Sequence, residues 1–277
     1  MMNRTKKYKT FHKLTGAGNC FILADLRDGR MRAPKDQRRQ WARKLCNVYT
    51  SIGADGLLFL ENSRPTDLKW DFYNADGSSA EMCGNAARCV AAYLLQLNNE
   101  MTTTTILTRS GIIEVTPLRH RHEFRVTMPA LCEIELGRDF DFIDSGVPHA
   151  VVRLQKSKLL DDFDFLSESV EKIRALSRFK KRGVNVTFYA LISSARRRIR
   201  SLTFERGVPG FTQACGTGAV AAAAAFAAHS PKATGGRAHA DRIQVDVPGG
   251  RLYVELGCER PILTGPASYV AELRASL

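Results

Sequence analysis

The sequence predicts an α+β fold: many short strands, few long helices and no regular strand–helix alternation over 277 residues. Three observations carry this reading. Short apolar or alternating runs bounded by Gly, Asn and Asp recur along the whole chain. Periodicity of 3.6 residues is confined to a few segments. Two Cys-Gly segments, Cys83-Gly84-Asn85-Ala86-Ala87 and Cys215-Gly216-Thr217-Gly218-Ala219, each follow a polar loop and open a helix rich in small residues. They stand 132 residues apart, near half the chain length, and point to an internal duplication.

In chain order, Phe11 to Leu26 reads as a strand, a turn at Gly16-Ala17-Gly18-Asn19, and a second apolar run through Phe21-Ile22-Leu23. A helix is expected over 36–49, with Trp41, Leu45 and Val48 on one face. A turn at 51–56 leads to a strand at 57–60, and the alternating run 69–73 stops at Asn74-Ala75-Asp76-Gly77. A helix over 83–97 and strands at 102–108, 111–116 and 123–128 follow. The second half has the same rhythm, with strands at 149–154, 184–192 and 199–205, a Gly-Pro loop at 207–210, and a helix over 215–229. Strands at 243–247 and 251–256 and a final strand after Thr264-Gly265-Pro266-Ala267 complete the chain.

Charge invites another reading. The chain has 41 Lys and Arg against 28 Asp and Glu, a formal charge of +13. The excess lies in two clusters: five basic residues and no acid in 1–24, and eight in 178–200, again without an acid. The remaining 28 basic residues balance the 28 acids. Neither cluster carries aromatics at stacking spacing or a zinc-finger pattern, so a solvated basic face is expected and no nucleic-acid partner. The longest apolar run, 218–228, is too short for a bilayer, and the basic start is not followed by a secretory h-region. Seven cysteines form an odd set, with no CxxC pair and no His at metal spacing, so neither a disulfide framework nor a metal site is expected. Cys46, Cys89, Cys132 and Cys258 read as core residues.

Cys83 and Cys215 read differently. A cysteine at a helix start meets unpaired N–H groups and the positive end of the helix dipole, which favour a thiolate. The glycine after it lets a ligand approach the backbone, and the next N–H groups suit a carboxylate. Two such devices suit inversion of a stereocentre α to a carboxylate. One group removes a proton from one face while a like group delivers one to the other, and no redox cofactor is needed. No lysine motif for pyridoxal phosphate is evident.

The stretch Asn74-Ala-Asp-Gly-Ser-Ser-Ala-Glu-Met-Cys83-Gly-Asn-Ala-Ala-Arg-Cys resembles the first cysteine signature of the diaminopimelate epimerase family. Phe204-Glu205-Arg206-Gly207 with Ala214-Cys215-Gly216-Thr217-Gly218 resembles the second. Gly18-Asn19, Gly53-Ala54-Asp55-Gly56, Gly146-Val147-Pro148-His149, Gly183-Val184-Asn185-Val186, Pro248-Gly249-Gly250 and Thr264-Gly265-Pro266-Ala267 recur in the family's order across nearly the whole chain. The resemblance implies two pseudo-symmetric α+β domains, each a curved, mainly antiparallel sheet wrapped around a central helix, with the active site in the cleft between them. It implies a first domain of residues 1–118 completed by 264–277, and a second of 119–263.

The resemblance makes Cys83 and Cys215 the acid/base pair. His149 and Glu205 would assist beside the cysteines and the reacting ammonium. Gly84, Asn85, Gly216 and Thr217 would hold the reacting carboxylate, and Arg206 the distal one. Asn19, Asn74 and Asn185 would complete the contacts. It implies an isomerase of lysine and peptidoglycan-precursor synthesis that interconverts LL- and meso-diaminopimelate, is cytoplasmic and homodimeric, takes a small-molecule substrate, uses no cofactor and has no membrane partner. The sequence departs from the family pattern at Cys20 (often Asp), Val147 (often Asn), Gly56 (Gln in some members) and Ala86 (usually Gly). The alternatives are a proline- or histidine-type racemase of the same fold, a transferase or hydrolase with a single cysteine nucleophile, and a basic binding protein.

Overall fold

The computed structural model describes residues 8–118, 122–208, 210–230 and 242–277. Pro209 of the expected Gly-Pro loop, and Arg4, Lys6 and Lys7 of the basic start, lie outside the described residues. The chain divides into two units: one runs up to Arg125 and includes Pro266–Leu277, the other is Val126–Gly265.

The first unit contains β1 (Lys9–Gly16), β2 (Asn19–Asp25), α1 (Arg38–Leu45), β3 (Gly56–Asn62), β4 (Leu68–Asn74), α2 (Gly84–Leu97), β5 (Thr104–Thr108) and β6 (Gly111–Leu118). The boundary falls within β7 (Glu123–Thr127). The second unit contains β8 (Glu133–Glu135), β9 (Asp141–Asp144), β10 (Pro148–Leu154), α3 (Phe163–Arg174), β11 (Asn185–Ser193), β12 (Arg198–Phe204), α4 (Gly216–His229), β13 (Arg242–Val247), β14 (Gly250–Glu255) and β15 (Ile262–Pro266). The last strand, β16 (Ser268–Ala275), returns to the first unit.

The two units repeat one topology. In the first, strands lie in the order β16-β1-β2-β3-β4-β5-β6; in the second, β8-β9-β10-β11-β12-β13-β14. Parallel pairs occur at matching places, β2 with β3 and β4 with β5, β10 with β11 and β12 with β13. The other pairs in these two series are antiparallel. A helix bridges each parallel pair, because a crossover to a parallel neighbour needs more chain than a hairpin turn. Thus α1 matches α3, and α2 matches α4.

The second helix of each unit is its centre. Helix α2 touches β1, β2, β6 and β16, and α4 touches β9 through β14, so each sheet curves around its helix. Every residue of α4 from Gly216 to Phe226 is buried, and a helix apolar all round belongs inside a fold. Its alanines let the strands approach closely. A second layer packs outside each sheet. Trp41, Ala42 and Leu45 of α1 meet Phe11, Leu57 and Phe59, while Leu166 and Val170 of α3 meet Val186 and Phe188.

Several expectations change. Helix α1 covers Arg38–Leu45 rather than 36–49, because Asn47 turns the chain by accepting from the N–H groups of Tyr49 and Thr50 at 2.9 and 3.0 Å. Val48, expected on its apolar face, is therefore exposed. Strands β8 and β9 and helix α3 add to the expected elements. Cys46 and Cys89 are buried, but Cys132 and Cys258 are exposed rather than core. The basic cluster is partly neutralised by acids distant in sequence: Arg178 pairs with Glu135, Arg198 with Asp246 and Arg200 with Asp161. Among the described residues no helix is long and apolar enough to cross a membrane.

Candidate functional site

In the first unit, β4 ends in the turn Asn74–Gly77, closed by the Gly77 N–H on the Asn74 carbonyl at 2.9 Å. The Asn74 side chain donates to Ser78 Oγ at 2.9 Å. The chain then delivers Cys83 to the N-cap of α2 in an extended conformation (φ −146°, ψ 118°). Cys83 is half-buried, and Gly84 and Asn85 behind it are buried. Asn85 Nδ2 donates to Asn19 Oδ1 at 2.7 Å, and Asn19 Nδ2 donates to Asp55 Oδ2 at 3.2 Å. The same Asp55 oxygen accepts from the Cys20 N–H at 2.7 Å. A carboxylate absent from position 20 thus arrives beside it from position 55.

Beneath this array lies Arg88, fully buried on α2. It donates to Asn85 Oδ1 at 2.7 Å, to the Gly84 carbonyl at 3.3 Å and to the Pro266 carbonyl at 3.2 Å. Burial lowers its affinity for its proton to a pKa of about 10, still charged at neutral pH. The guanidinium fixes the Asn85 amide, so Nδ2 is the end that meets Asn19.

The second unit places Cys215 at the N-cap of α4 (φ −117°, ψ 114°), where its Sγ accepts from the Gly218 N–H at 3.3 Å. Cys215 Sγ lies 3.4 Å from Thr217 Oγ1, which lies 3.0 Å from His149 Nε2. His149 Nδ1 lies 2.9 Å from Thr187 Oγ1, which in turn meets Thr203 Oγ1 at 3.0 Å. Asn185 accepts the Arg206 N–H on Oδ1 at 2.8 Å and turns Nδ2 toward His149 Nε2, 3.5 Å away. Ser145 Oγ donates to the Thr217 carbonyl at 3.0 Å. Strand pairing builds this cluster: His149 stands opposite Asn185 in the parallel pair, and Thr187 opposite Thr203 in the antiparallel one.

His149 is completely buried, and desolvation, aided by the nearby Arg206 charge, drives its pKa down to about 3. The imidazole is neutral at physiological pH. Burial pushes the Cys46 thiol up to about 12 and Cys89 higher still, so neither ionises under ordinary conditions. Among the described residues no three His, Cys, Asp or Glu side chains are grouped to share a metal ion.

The structure therefore joins Asn19 with Asn85, and Cys215, Thr217, His149, Asn185 and the Arg206 backbone with one another. Asn74 sits in its turn, connected through the neighbouring Ala75 N–H on the Asp55 carbonyl at 3.0 Å. Glu205 is half-buried just beyond β12, and Gly216 is buried at the first position of α4. The exposed Arg206 guanidinium donates to the Arg182 carbonyl at 2.8 Å. Arg88, Asp55, Thr187, Thr203 and Ser145 are absent from the expected set of site residues. The period of the strands carried a signal for two of them: Thr187 is two residues after Asn185 and Thr203 two before Glu205, so each shares a face with a candidate.

The family described as Diaminopimelate epimerase matches residues 11–130 and 142–270. The diaminopimelate epimerase of Flavobacterium psychrophilum is 35% identical over 266 residues, 94% of this chain and 98% of that protein. That of Methanopyrus kandleri is 36% identical over 276 residues, covering 95% and 88% of the two chains. Among solved structures, a phenazine biosynthesis protein of the PhzF family from Bacillus anthracis superposes with a TM-score of 0.71 at 14% identity, over 98% of this chain and 100% of that one. A hydroxyproline epimerase from Agrobacterium vitis with bound trans-4-hydroxy-L-proline gives 0.67 at 18% identity, over 99% and 94%. These structural likenesses concern the fold.

Proposed function

The chain belongs to the diaminopimelate epimerase family, and from that premise we propose that it is an isomerase interconverting LL- and meso-2,6-diaminopimelate without a cofactor. The observation that carries the reading is the repeated device: two units of one topology, each presenting a cysteine at the N-cap of its central helix. A thiolate takes the α-proton from one face and a thiol returns a proton to the other. Because the groups are alike, the reverse reaction exchanges their roles. The carbanionic intermediate places negative charge on the reacting carboxylate, where the N–H groups of Gly84 and Asn85 and of Gly216 and Thr217 meet it with the favourable ends of the helix dipoles. Asn19, Asn74 and Asn185 bind the polar groups of the substrate, Glu205 and His149 adjoin the reacting centre, and Arg206 pairs with the distal carboxylate. The enzyme acts in the cytoplasm, as a homodimer, in lysine and peptidoglycan-precursor synthesis.

Reduced protein incubated with LL-diaminopimelate in D₂O tests the reading. Meso product carrying α-deuterium, lost on thiol alkylation, is the expected result. No deuterium exchange and no meso product would overturn it. Cys83→Ser and Cys215→Ser should each slow epimerisation by roughly 100-fold or more, the scale of lost general acid–base catalysis. A single-cysteine transferase or hydrolase would lose activity with only one of them.

A further inference from the structure

The buried chain from Cys215 to Thr203 permits one arrangement of protons around His149. Asn185 Oδ1 is committed to the Arg206 N–H at 2.8 Å, so the group facing His149 Nε2 is the amide nitrogen, which only donates. Nε2 therefore accepts. In a neutral imidazole the single proton then sits on Nδ1 and is donated to Thr187 Oγ1 at 2.9 Å. With its oxygen accepting from Nδ1–H, Thr187 donates its own hydroxyl to Thr203 Oγ1 at 3.0 Å. At the other end, Thr217 Oγ1 lies between two groups, His149 Nε2 at 3.0 Å and Cys215 Sγ at 3.4 Å, and its one proton serves one of them at a time.

We propose that Thr187 is a positioning residue that, together with the Asn185 amide facing Nε2, holds His149 in its Nδ1-protonated tautomer by accepting from Nδ1–H, so that the Thr217 hydroxyl acts as a rotor serving Cys215 in both of its protonation states. This rests on the two-thiol reading above. With Cys215 as a thiol, S–H donates to Thr217 Oγ1 and the hydroxyl donates to His149 Nε2. When the thiol has given its proton to the substrate carbon, the hydroxyl turns and donates to the thiolate. The sulfur then accepts from the Thr217 O–H and from the Gly218 N–H at 3.3 Å, while Nε2 retains the Asn185 amide. No proton is transferred to His149; the imidazole is a fixed acceptor that stores the rotor between turns. The opposite tautomer would present Nε2–H to the Asn185 amide, opposing a donor with a donor at a fully buried imidazole.

The experiment combines two-bond ¹H–¹⁵N spectroscopy of the imidazole with steady-state kinetics of Thr187→Val and Thr187→Ser. The wild-type spectrum should show a neutral His149 protonated at Nδ1. Thr187→Val leaves the Nδ1 proton without an acceptor, so it should raise the share of the Nε2–H tautomer and lower kcat about ten-fold, the scale of one lost buried hydrogen bond, with KM within about two-fold. Thr187→Ser should restore both the tautomer and most of kcat. An Nε2-protonated wild-type imidazole overturns the proposal, and so does a Thr187→Val enzyme with unchanged tautomer and kcat. If the valine variant does not fold, the wild-type spectrum and the serine variant still decide. The spectroscopic arm needs no turnover, so absence of epimerase activity would refute the proposed reaction while leaving the tautomer readable.

Discussion

At the scale of single residues, two glycines define what the site tolerates. A Cβ on Gly218 would overlap Thr203 Oγ1 and stand 3.1 Å from Thr187 Oγ1, inside the hydroxyl chain. Gly218→Ala should therefore cost about 1–3 kcal/mol of stability, as overpacking does, and also lower kcat; urea unfolding and the epimerase assay read the two effects separately. At Gly56 a Cβ would lie 2.5 Å from Phe72 Cε2 and 2.8 Å from the Tyr73 carbonyl. A larger side chain there does not fit the present packing. Cysteines and glycines of this kind are legible in sequence because few other residues serve their places. Arg88 was not legible: an arginine in an alanine-rich helix looks like a solvated edge until the helix is found to be central. Thr187 shares a strand face with Asn185, but its role shows only against His149, 38 residues away.

At the scale of elements, both central helices use cysteine at the N-cap, where serine, threonine or aspartate holds a helix better. Cys215 does accept from the Gly218 N–H, but sulfur is a weak acceptor. Cys215→Ser, though it slows epimerisation, should thus leave α4 at least as stable, with a gain of about 0.5 kcal/mol from the stronger cap. A clear loss of stability in thermal unfolding would contradict this account of the cap. The strands were read well because Gly, Asn and Asp punctuate them, and α2 and α4 because their small residues run on without a break. Helix α3 was missed, since it buries only Leu166 and Val170 through its middle and exposes Phe163 and Phe165. Strand β8, three exposed residues long, has no inward face to betray it.

At the scale of the whole molecule, His149 ties the site to global stability. Its pKa falls from 6.5 in the unfolded chain to about 3 when buried, so the unfolded state binds the extra proton between those values. The contribution is fully present above pH 6.5 and is lost as pH falls through that window, by at most about 1.4 kcal/mol per pH unit. Urea titrations from pH 7 to 4 should show this loss in the wild type and a smaller one in His149→Gln; parallel curves would mean that the imidazole is not held neutral by the fold. The duplication visible in two Cys-Gly motifs extends to the placement of the parallel pairs β2–β3, β4–β5, β10–β11 and β12–β13, which no local pattern reveals because it depends on pairings made far along the chain. One pairing breaks the likeness between the halves. The first unit takes its outer strand from the far end of the sequence, with Lys9 opposite Ala275 in the β1–β16 ladder. In vectorial synthesis the first unit is thus completed only after the strands of the second have been made. Strands β8 to β15 have emerged once residue 266 is made, whereas β1 waits with an open edge for residues 268–275, exposed meanwhile to any other strand that will pair with it.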